Sequence, residues 1–289
     1  MACAAIALAP GCGGDDPEST TAPGDSAFDA ERAYEDVLAQ VELGPRPAGT
    51  EANRRQAELI ASELKQAGAK EVTVQEPLRN VVGILPGEEP GYVVVGAHHD
   101  TAEGIPGFVG ANDGGSGVAV VLELARSLPS PLPGPSIAVA LFDGEEAREG
   151  REFAEDGTRG SRAYVEEAEA GGGSGVPPLE QIHAMVLFDM VGDCELDVPL
   201  EQNSDPALYE LFADADPETF SGRTFPIDDD HIPFLEAGIP ALDLIDFDYG
   251  PGPAPGEWWH TSEDTADKVC PESLGAMGAA ALDALPRIP

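Results

Sequence analysis

The stretch YVVVGAHHD (residues 92–100) is a run of β-branched residues that ends in two histidines and an aspartate. A second stretch, IAVALFDGEE (residues 137–146), has the same pattern and ends in two adjacent glutamates. Short apolar runs of this kind are typical of buried strands. We therefore expect two central strands whose carboxyl ends carry side chains suited to metal binding or proton transfer.

Three more segments each place one acid or histidine beside small or apolar residues: GANDGGSG (110–117), AMVLFDMVG (184–192) and WWHT (258–261). Zinc binds histidine nitrogen and carboxylate oxygen, and a catalytic site keeps one position open. The five candidate ligands are His98, Asp113, Glu146, Asp189 and His260. These ligands suffice for two metals that share one carboxylate, or for one metal beside a partly vacant site, so we expect one or two Zn²⁺ per chain.

Helical and strand patterns alternate along the rest of the chain. Helices are predicted over residues 28–41, 51–67, 115–128, 160–169, 206–215 and 272–285. Strands are predicted over residues 72–75, 80–85, 92–97, 136–142, 184–190 and 241–246. This order predicts an α/β fold, a three-layer α/β/α sandwich around a mixed, mainly parallel central sheet. Ligands in such open sheets bind beyond the carboxyl ends of the strands, where most of the candidate ligands fall.

The composition and net charge of the chain exclude some classes of binding partner. The chain has 289 residues and is 42% hydrophobic, so residues 26–289 can bury a core as a single catalytic domain. Its 15 lysines and arginines stand against 54 acids, a formal net charge of −39. Binding to nucleic acid or to an anionic membrane surface requires a basic patch. We therefore expect neither partner, and we expect a monomer.

Residues 1–25 have the pattern of a leader and a flexible linker rather than of a folded segment. MACAAIALAPGC is a short small-residue apolar run, and a polar stretch rich in turn formers follows it. The run resembles a bacterial lipoprotein signal with Cys12 as the lipidated residue. The expectation is export, to the cell envelope or the extracellular space, with membrane contact only through a lipid anchor on Cys12.

Two cysteines remain outside the leader, Cys194 and Cys270. In an oxidising compartment they could form a disulfide. The sequence does not show whether they are close, so a disulfide and two buried thiols both stay open.

From GPRPAGT at Gly44 to the C-terminal helix, the chain resembles the zinc exopeptidase superfamily, which contains the bacterial co-catalytic zinc aminopeptidases and the glutaminyl-peptide cyclotransferases. HHD matches the family's H-x-D, GANDGGSG its bridging aspartate, GEE its base and ligand pair, FDMVG its second-metal acid and WHT its last histidine. The resemblance implies the superfamily's fold and an activity on peptide or protein N-termini.

The resemblance also implies a role for each residue. It assigns His98 and Asp189 to one metal, Glu146 and His260 to the other, Asp113 between them, Glu145 as general base, and Asp100 as the carboxylate that orients the His98 imidazole. The residues alone support the split between the two glutamates. Adjacent carboxylates at a strand exit cannot both point the same way, so one can bind metal while the other faces a bound water.

Two activities compete. The long insertion between GEE and GSRAY, the stretch DDDHIPFLEAGIPALDLI (residues 228–245) and Trp259 before His260 all resemble the glutaminyl cyclases. In a cyclase, Asp229 would hydrogen-bond to Asp189 and support the tetrahedral intermediate. The insertion lacks tryptophan, however, and GANDGGSG is closer to the aminopeptidase form. We favour the cyclase, with an aminopeptidase as the alternative and a non-catalytic peptide-binding lipoprotein as a minor one.

The substrate pocket is predicted from loops at the strand ends, because such loops carry recognition on a rigid scaffold. We expect Trp259, Ile232, Phe234 and the glycine- and proline-rich loop over residues 249–257 to line its mouth.

Overall fold

The computed structural model of this protein describes Met1 and residues 28–289. The expected leader, its Cys12 and the domain start at residue 26 lie outside the described residues. Among the helices that are described, none has the length and apolar character needed to cross a membrane.

A six-stranded mixed sheet forms the centre of the fold. Its strands are β1 (Lys70–Val74), β2 (Val81–Leu85), β3 (Gly87–His98), β4 (Leu132–Phe142), β5 (Ile182–Asp189) and β8 (Ala241–Ile245), in the order β1-β2-β4-β3-β5-β8. Strands β4, β3, β5 and β8 run parallel, and β1 and β2 extend the sheet antiparallel at one edge. A separate parallel pair consists of β6 (Leu200–Glu201) and β7 (Thr224–Phe225).

The helices are α1 (Ala30–Val41), α2 (Glu51–Gln66), α3 (Ser116–Ser127), α4 (Phe153–Asp156), α5 (Arg159–Glu169), α6 (Pro206–Ala215), α7 (Ile232–Glu236) and α8 (Pro271–Ala284). Side-chain caps fix several starts. The Thr50 side chain accepts a hydrogen bond from the Asn53 N–H and so starts α2 where the sequence predicts. Asp29 caps α1 in the same way through the Arg32 N–H.

Strand residues alternate between two cores, because successive side chains point to opposite faces of a sheet. On β3, Val93 and Val95 belong to the larger core and Val94 to the smaller one. The larger core packs against α1, α2, α3, α6 and α8, and α5 and α7 cover the other face. The predicted three-layer α/β/α sandwich with a mainly parallel centre is thus confirmed.

The structure departs from the predicted elements in two ways. Strands β3 and β4 begin earlier than their apolar runs, at Gly87 and Leu132. Four short elements, α4, α7, β6 and β7, were not predicted because they are too short to show a period. Cys194 and Cys270 form a disulfide, with their Cα atoms 4.9 Å apart, which settles the choice that the sequence left open.

Candidate active site

The ends of three neighbouring strands bring the candidate ligands together. β3 ends at His98, which pairs in register with Phe142 at the end of β4. On its other side, Gly96 pairs with Leu187, so His98 lies level with Asp189 at the end of β5. Since β4 continues directly into the two glutamates, one edge of the sheet carries a histidine and three carboxylates.

All five predicted ligands lie in two groups that share Asp113. In the first group, His98 Nε2 lies 3.1 Å from Asp189 Oδ1 and 3.3 Å from Asp113 Oδ1. In the second, His260 Nε2 lies 3.1 Å from Glu146 Oε1 and 3.4 Å from Asp113 Oδ2. The donor atoms within each group all lie within 4.8 Å of one another. Asp113 stands between the two groups, as the resemblance implies for a bridging carboxylate.

Asp100 has other partners than the one expected. Its Oδ1 lies 3.8 Å from His98 Nδ1, which is too long for a hydrogen bond. Its two oxygens instead accept the backbone N–H groups of Glu145 and Glu146, at 3.1 and 3.3 Å. Asp100 therefore fixes the turn that carries the two glutamates, while standing beside the His98 ring.

The loop that carries Asp113 is held by a residue the sequence analysis missed. Buried Asp264 accepts the backbone N–H groups of Asn112 and Asp113, at 2.9 and 3.1 Å, and the Tyr249 hydroxyl at 2.7 Å. Glycine is needed at Gly114, which has a φ of +80° and where a Cβ would lie 2.4 Å from the Asp100 carbonyl oxygen. The signal for Asp264 was its position four residues after His260, in the same short segment.

His260 sits in a backbone conformation that few non-glycine residues adopt, with a φ of 52°. The Trp259 ring stacks on its imidazole, with ring centroids 3.9 Å apart, and the Phe108 ring meets it edge-on. Strain of this kind persists only when the surroundings hold it, and it concentrates at functional sites. The two rings and the contacts to Asp113 and Glu146 provide that support.

Asp229 lies at the same site but without the predicted hydrogen bond to Asp189. It is 2% exposed, its Oδ1 accepts the Asp230 N–H, and its Oδ2 has no hydrogen-bond partner among the described residues. Burial raises the pKa of the Asp229 carboxyl well above its usual range, and the nearby charges of Asp243 and Asp189 raise it further. The group is thus suited to keep a proton at neutral pH.

A cavity of about 600 Å³ opens over these groups. Glu145, Asp229 and Trp259 line it, as do four of the five candidate ligands, Asp113, Glu146, Asp189 and His260. Its size falls within the range of about 300–1,000 Å³ typical of ligand sites. The structure thus brings Glu145, Asp229 and four of the five candidate ligands to one cavity, which His98 does not line.

The predicted pocket mouth is only partly correct. Phe234 is fully buried and packs against the rings of Phe142 and Tyr164 in the smaller core, so its assignment to the mouth is wrong. Neither Ile232 nor the loop over 249–257 lines the cavity. Helix α7 begins at Ile232, and Phe234 on that helix packs into the smaller core. In their place the cavity is lined by Ile227 and Phe247, and by the insertion that follows the two glutamates.

Burial and neighbouring carboxylates raise the pKa values of both glutamates. For Glu145 burial is the larger cause, and the charge of Glu146 adds to it against the opposing effect of His98. Burial, together with the charge of Asp113, raises the pKa of Glu146 to about 7, against its hydrogen bond with His260. A carboxylate with a raised pKa is a competent proton acceptor and donor near neutral pH.

The donor set suits zinc. Two imidazoles and three carboxylates face one another, and buried Asp113 Oδ2 has no hydrogen-bond partner in the described part of the chain. Carboxylates crowded together in a buried site need a compensating cation. Each of the two groups therefore fits a metal ion.

Comparison with known proteins agrees with this geometry. The sequence model of peptidase family M28 matches residues 80–285. A glutaminyl-peptide cyclotransferase of Boiga irregularis is 30% identical over 228 residues, which cover 66% of this chain and 60% of that protein. The chain thus spans about 60% of the length of the curated cyclotransferases it first matches.

Solved structures extend the similarity to the whole fold. A glutaminyl cyclase from an Acidobacteriales bacterium is 29% identical with a TM-score of 0.80, covering 95% of this chain and 99% of that one. A Zn-dependent exopeptidase from Parabacteroides distasonis is 27% identical with a TM-score of 0.75, covering 88% of this chain and 97% of that one. Because the family model matches most of the length of this chain, the chain belongs to peptidase family M28.

Proposed function

We propose that this protein is a zinc-dependent enzyme that converts N-terminal glutamine of peptides to pyroglutamate and releases ammonia. The observation that carries the proposal is Asp229, a buried carboxyl with an unpartnered oxygen in the same cavity as Glu145 and the candidate ligands. The similarity to glutaminyl cyclases supports it. Because all five candidate ligands and Glu145 are in place, an enzyme is favoured over a binding-only lipoprotein.

In this proposal Asp113, Glu146 and His260 would hold the catalytic Zn²⁺, and His98 and Asp189, with Asp113, would offer a second metal position. When bound, Zn²⁺ polarises the γ-amide carbonyl of the substrate glutamine. Trp259, stacked on His260, forms a flat apolar wall against which the substrate side chain packs. The rest of the chemistry falls to the chain's own carboxyl groups.

Glu145 moves the proton. Its carboxylate accepts a proton from the substrate α-amine as the nitrogen forms a bond to the γ-amide carbon. The same carboxyl then donates the proton to the leaving nitrogen as the carbon–nitrogen bond of the amide breaks, so that ammonia departs. Burial and the neighbouring charges raise the pKa of Glu145, which allows it to serve in both directions.

Asp229 would act on the intermediate. Burial, together with the nearby charges of Asp243 and Asp189, raises the pKa of Asp229, which favours the protonated form of its carboxyl group. The protonated Oδ2, which has no partner within the described residues, can donate a hydrogen bond to the reacting amide. A donor aimed at developing charge in a buried site is a strong catalytic contribution.

A zinc aminopeptidase is the second candidate. It is favoured by the two complete three-residue groups that share Asp113, an arrangement suited to two metal ions that together activate water for peptide hydrolysis. In that enzyme Asp189 binds metal throughout, and no acid is required at position 229.

The deciding experiment compares Gln-Ala-Ala and Leu-Ala-Ala amides with purified zinc-loaded protein. We expect ammonia and a pyroglutamyl peptide from the first, and little free leucine from the second. Asp229→Asn removes the acid and should lose most of the cyclisation. Asp230→Asn is the matched control, because Asp230 is also buried but accepts from Ser161 and does not line the cavity. Rapid leucine release without ammonia would establish the aminopeptidase instead.

Zinc content separates the base from the ligand. Glu145→Gln should abolish turnover and leave bound zinc unchanged, whereas Glu146→Gln should lower the zinc content. Equal zinc loss in the two variants would contradict the roles assigned to them.

We also propose that the protein is exported, is anchored through Cys12 and acts as a monomer. The Cys194–Cys270 disulfide supports an oxidising compartment. Apart from Met1, the only large hydrophobic side chain exposed in the described residues is Leu38, which supports a monomer.

A further inference from the structure

The cavity extends beyond the catalytic groups to an outer wall of charged side chains. Besides the catalytic groups and the candidate ligands, four more acids line it, which we call the acidic rim: Glu103, Glu149, Glu152 and Asp228. Two arginines, Arg148 and Arg151, line the same region. The number of these acids and arginines that lack an ion-pair partner sets the local charge near a bound peptide.

One of the two arginines, Arg148, is already paired with an acid that does not line the cavity. Arg148 donates from Nε and Nη2 to Asp156, at 3.0 and 2.5 Å, and its backbone N–H donates to the same carboxylate. Asp156 also accepts from Arg159 at 3.0 Å, so this clamp holds the insertion in place. Arg151 lies 4.0 Å from Glu155.

The four acids of the acidic rim form no such ion pairs among the described residues. Within the described part of the chain, none of its four carboxylates has a lysine, arginine or histidine at ion-pair distance; Glu103 only accepts the backbone N–H of Glu149, at 3.1 Å. The net charge of −39 adds a long-range field of the same sign. Phe153 and Phe247 also line the cavity, where either ring can contact the aliphatic stem of a long basic side chain.

We propose that the acidic rim selects peptides with arginine or lysine at the second and third positions, behind the N-terminal residue that the catalytic groups hold. The inference rests on the proposed function for the identity of the first residue. It concerns only the residues that follow, whose side chains leave the catalytic centre and meet the outer wall.

The test uses three amidated tripeptides: Gln-Arg-Arg, Gln-Ala-Ala and Gln-Glu-Glu. We expect kcat/KM of the wild type to fall in that order. An exposed ion pair corresponds to about 1.5- to 5-fold, so two of them predict about a ten-fold ratio between first and last at low salt. The ratio should shrink towards one at about 0.5 M NaCl, because the rim is solvent-exposed.

Two double variants locate the effect. Glu149→Gln with Glu152→Gln removes two rim charges and should reduce the Arg-Arg over Glu-Glu ratio at least about two-fold. Glu166→Gln with Glu169→Gln changes the net charge equally on exposed positions of α5 away from the cavity, and should leave the ratio unchanged. If both double variants reduce the Arg-Arg over Glu-Glu ratio equally, the preference arises from the net charge of the protein, and the acidic rim is not its source.

Binding makes the test independent of the reaction. Calorimetric Kd values for the same peptides are measured on zinc-loaded Glu145→Gln, with and without the rim substitutions. Equal Kd values for Gln-Arg-Arg and Gln-Glu-Glu would overturn the inference even if the wild type releases ammonia. A Kd preference for Gln-Arg-Arg that the rim substitutions reduce would uphold it even if the wild type releases none, which would refute only the proposed reaction.

Discussion

Asp100→Asn is the substitution that most directly tests how the catalytic turn is held. In the wild type, the two oxygens of Asp100 accept the N–H groups of Glu145 and Glu146. Asparagine has one acceptor oxygen and one NH₂ group, so one of the two buried N–H groups would face a donor. An unsatisfied buried donor costs about 1–3 kcal/mol. Unfolding free energy should fall by that amount, with a Tm lower by about 2–12 °C.

Turnover should fall by more than the loss of stability explains. A displacement of about 1 Å in a catalytic group can cost about 10²-fold, and the turn carries both the proposed base and a proposed ligand. We expect kcat/KM for Gln-Ala-Ala amide to drop about 10- to 100-fold in the folded, zinc-loaded variant. The assay measures ammonia release at a temperature well below the Tm of the variant.

Asp143→Asn is the matched control. Asp143 is equally buried, immediately follows β4, and also accepts a backbone N–H, that of Arg79, together with the Asn53 side-chain amide. This substitution should lower stability by a similar amount and keep turnover close to that of the wild type. Wild-type turnover in Asp100→Asn, or an equal loss in Asp143→Asn, would refute the positioning role of Asp100.

Three further outcomes follow from the packing. Phe234→Ala should lower the unfolding free energy by about 3–5 kcal/mol with little change in KM, since Phe234 lies in the core. A large change in KM with a wild-type Tm would instead indicate that Phe234 contacts the substrate. Trp259→Ala should raise KM several-fold, because the ring lines the cavity and stacks on His260; an unchanged KM would count against that role. Cys270→Ser opens the 76-residue loop closed with Cys194 and should cost about 4 kcal/mol in denaturant unfolding, and an unchanged midpoint would contradict the disulfide.

The strands and the ligand types were predictable because both are local properties of the sequence. A β-branched run such as Val93–Val95 has one compatible environment, a strand buried on both faces. An acid or histidine just after such a run lies at the carboxyl end of its strand, and the carboxyl ends of parallel strands share one edge of the sheet. This is why His98, Glu146 and Asp189 were located before any contact between them was known.

Contacts between distant segments were not predictable in this way. The pairing of Cys194 with Cys270, and the hydrogen bonds from Asn112 and Asp113 to Asp264, depend on how loops return to the sheet after separations of 76 to 152 residues. Neither arrangement leaves a periodic signal, because a single side chain at a single position makes each contact.

The pocket shows most clearly which properties follow from the local sequence and which depend on the tertiary structure. The sequence by itself determined which residue types lie near the strand ends, and so the metal-binding and proton-transfer chemistry of the site. Only the tertiary structure decided that Phe234 packs in the core while Ile227 lines the cavity. The same is true of the ion pair between Arg148 and Asp156, which leaves the four acids of the rim without a pairing arginine among the described residues. The periodicity of a helix or strand fixes the face on which each side chain lies, and this can be predicted from the local sequence. The residues that a side chain contacts depend instead on how elements far apart in the chain pack together.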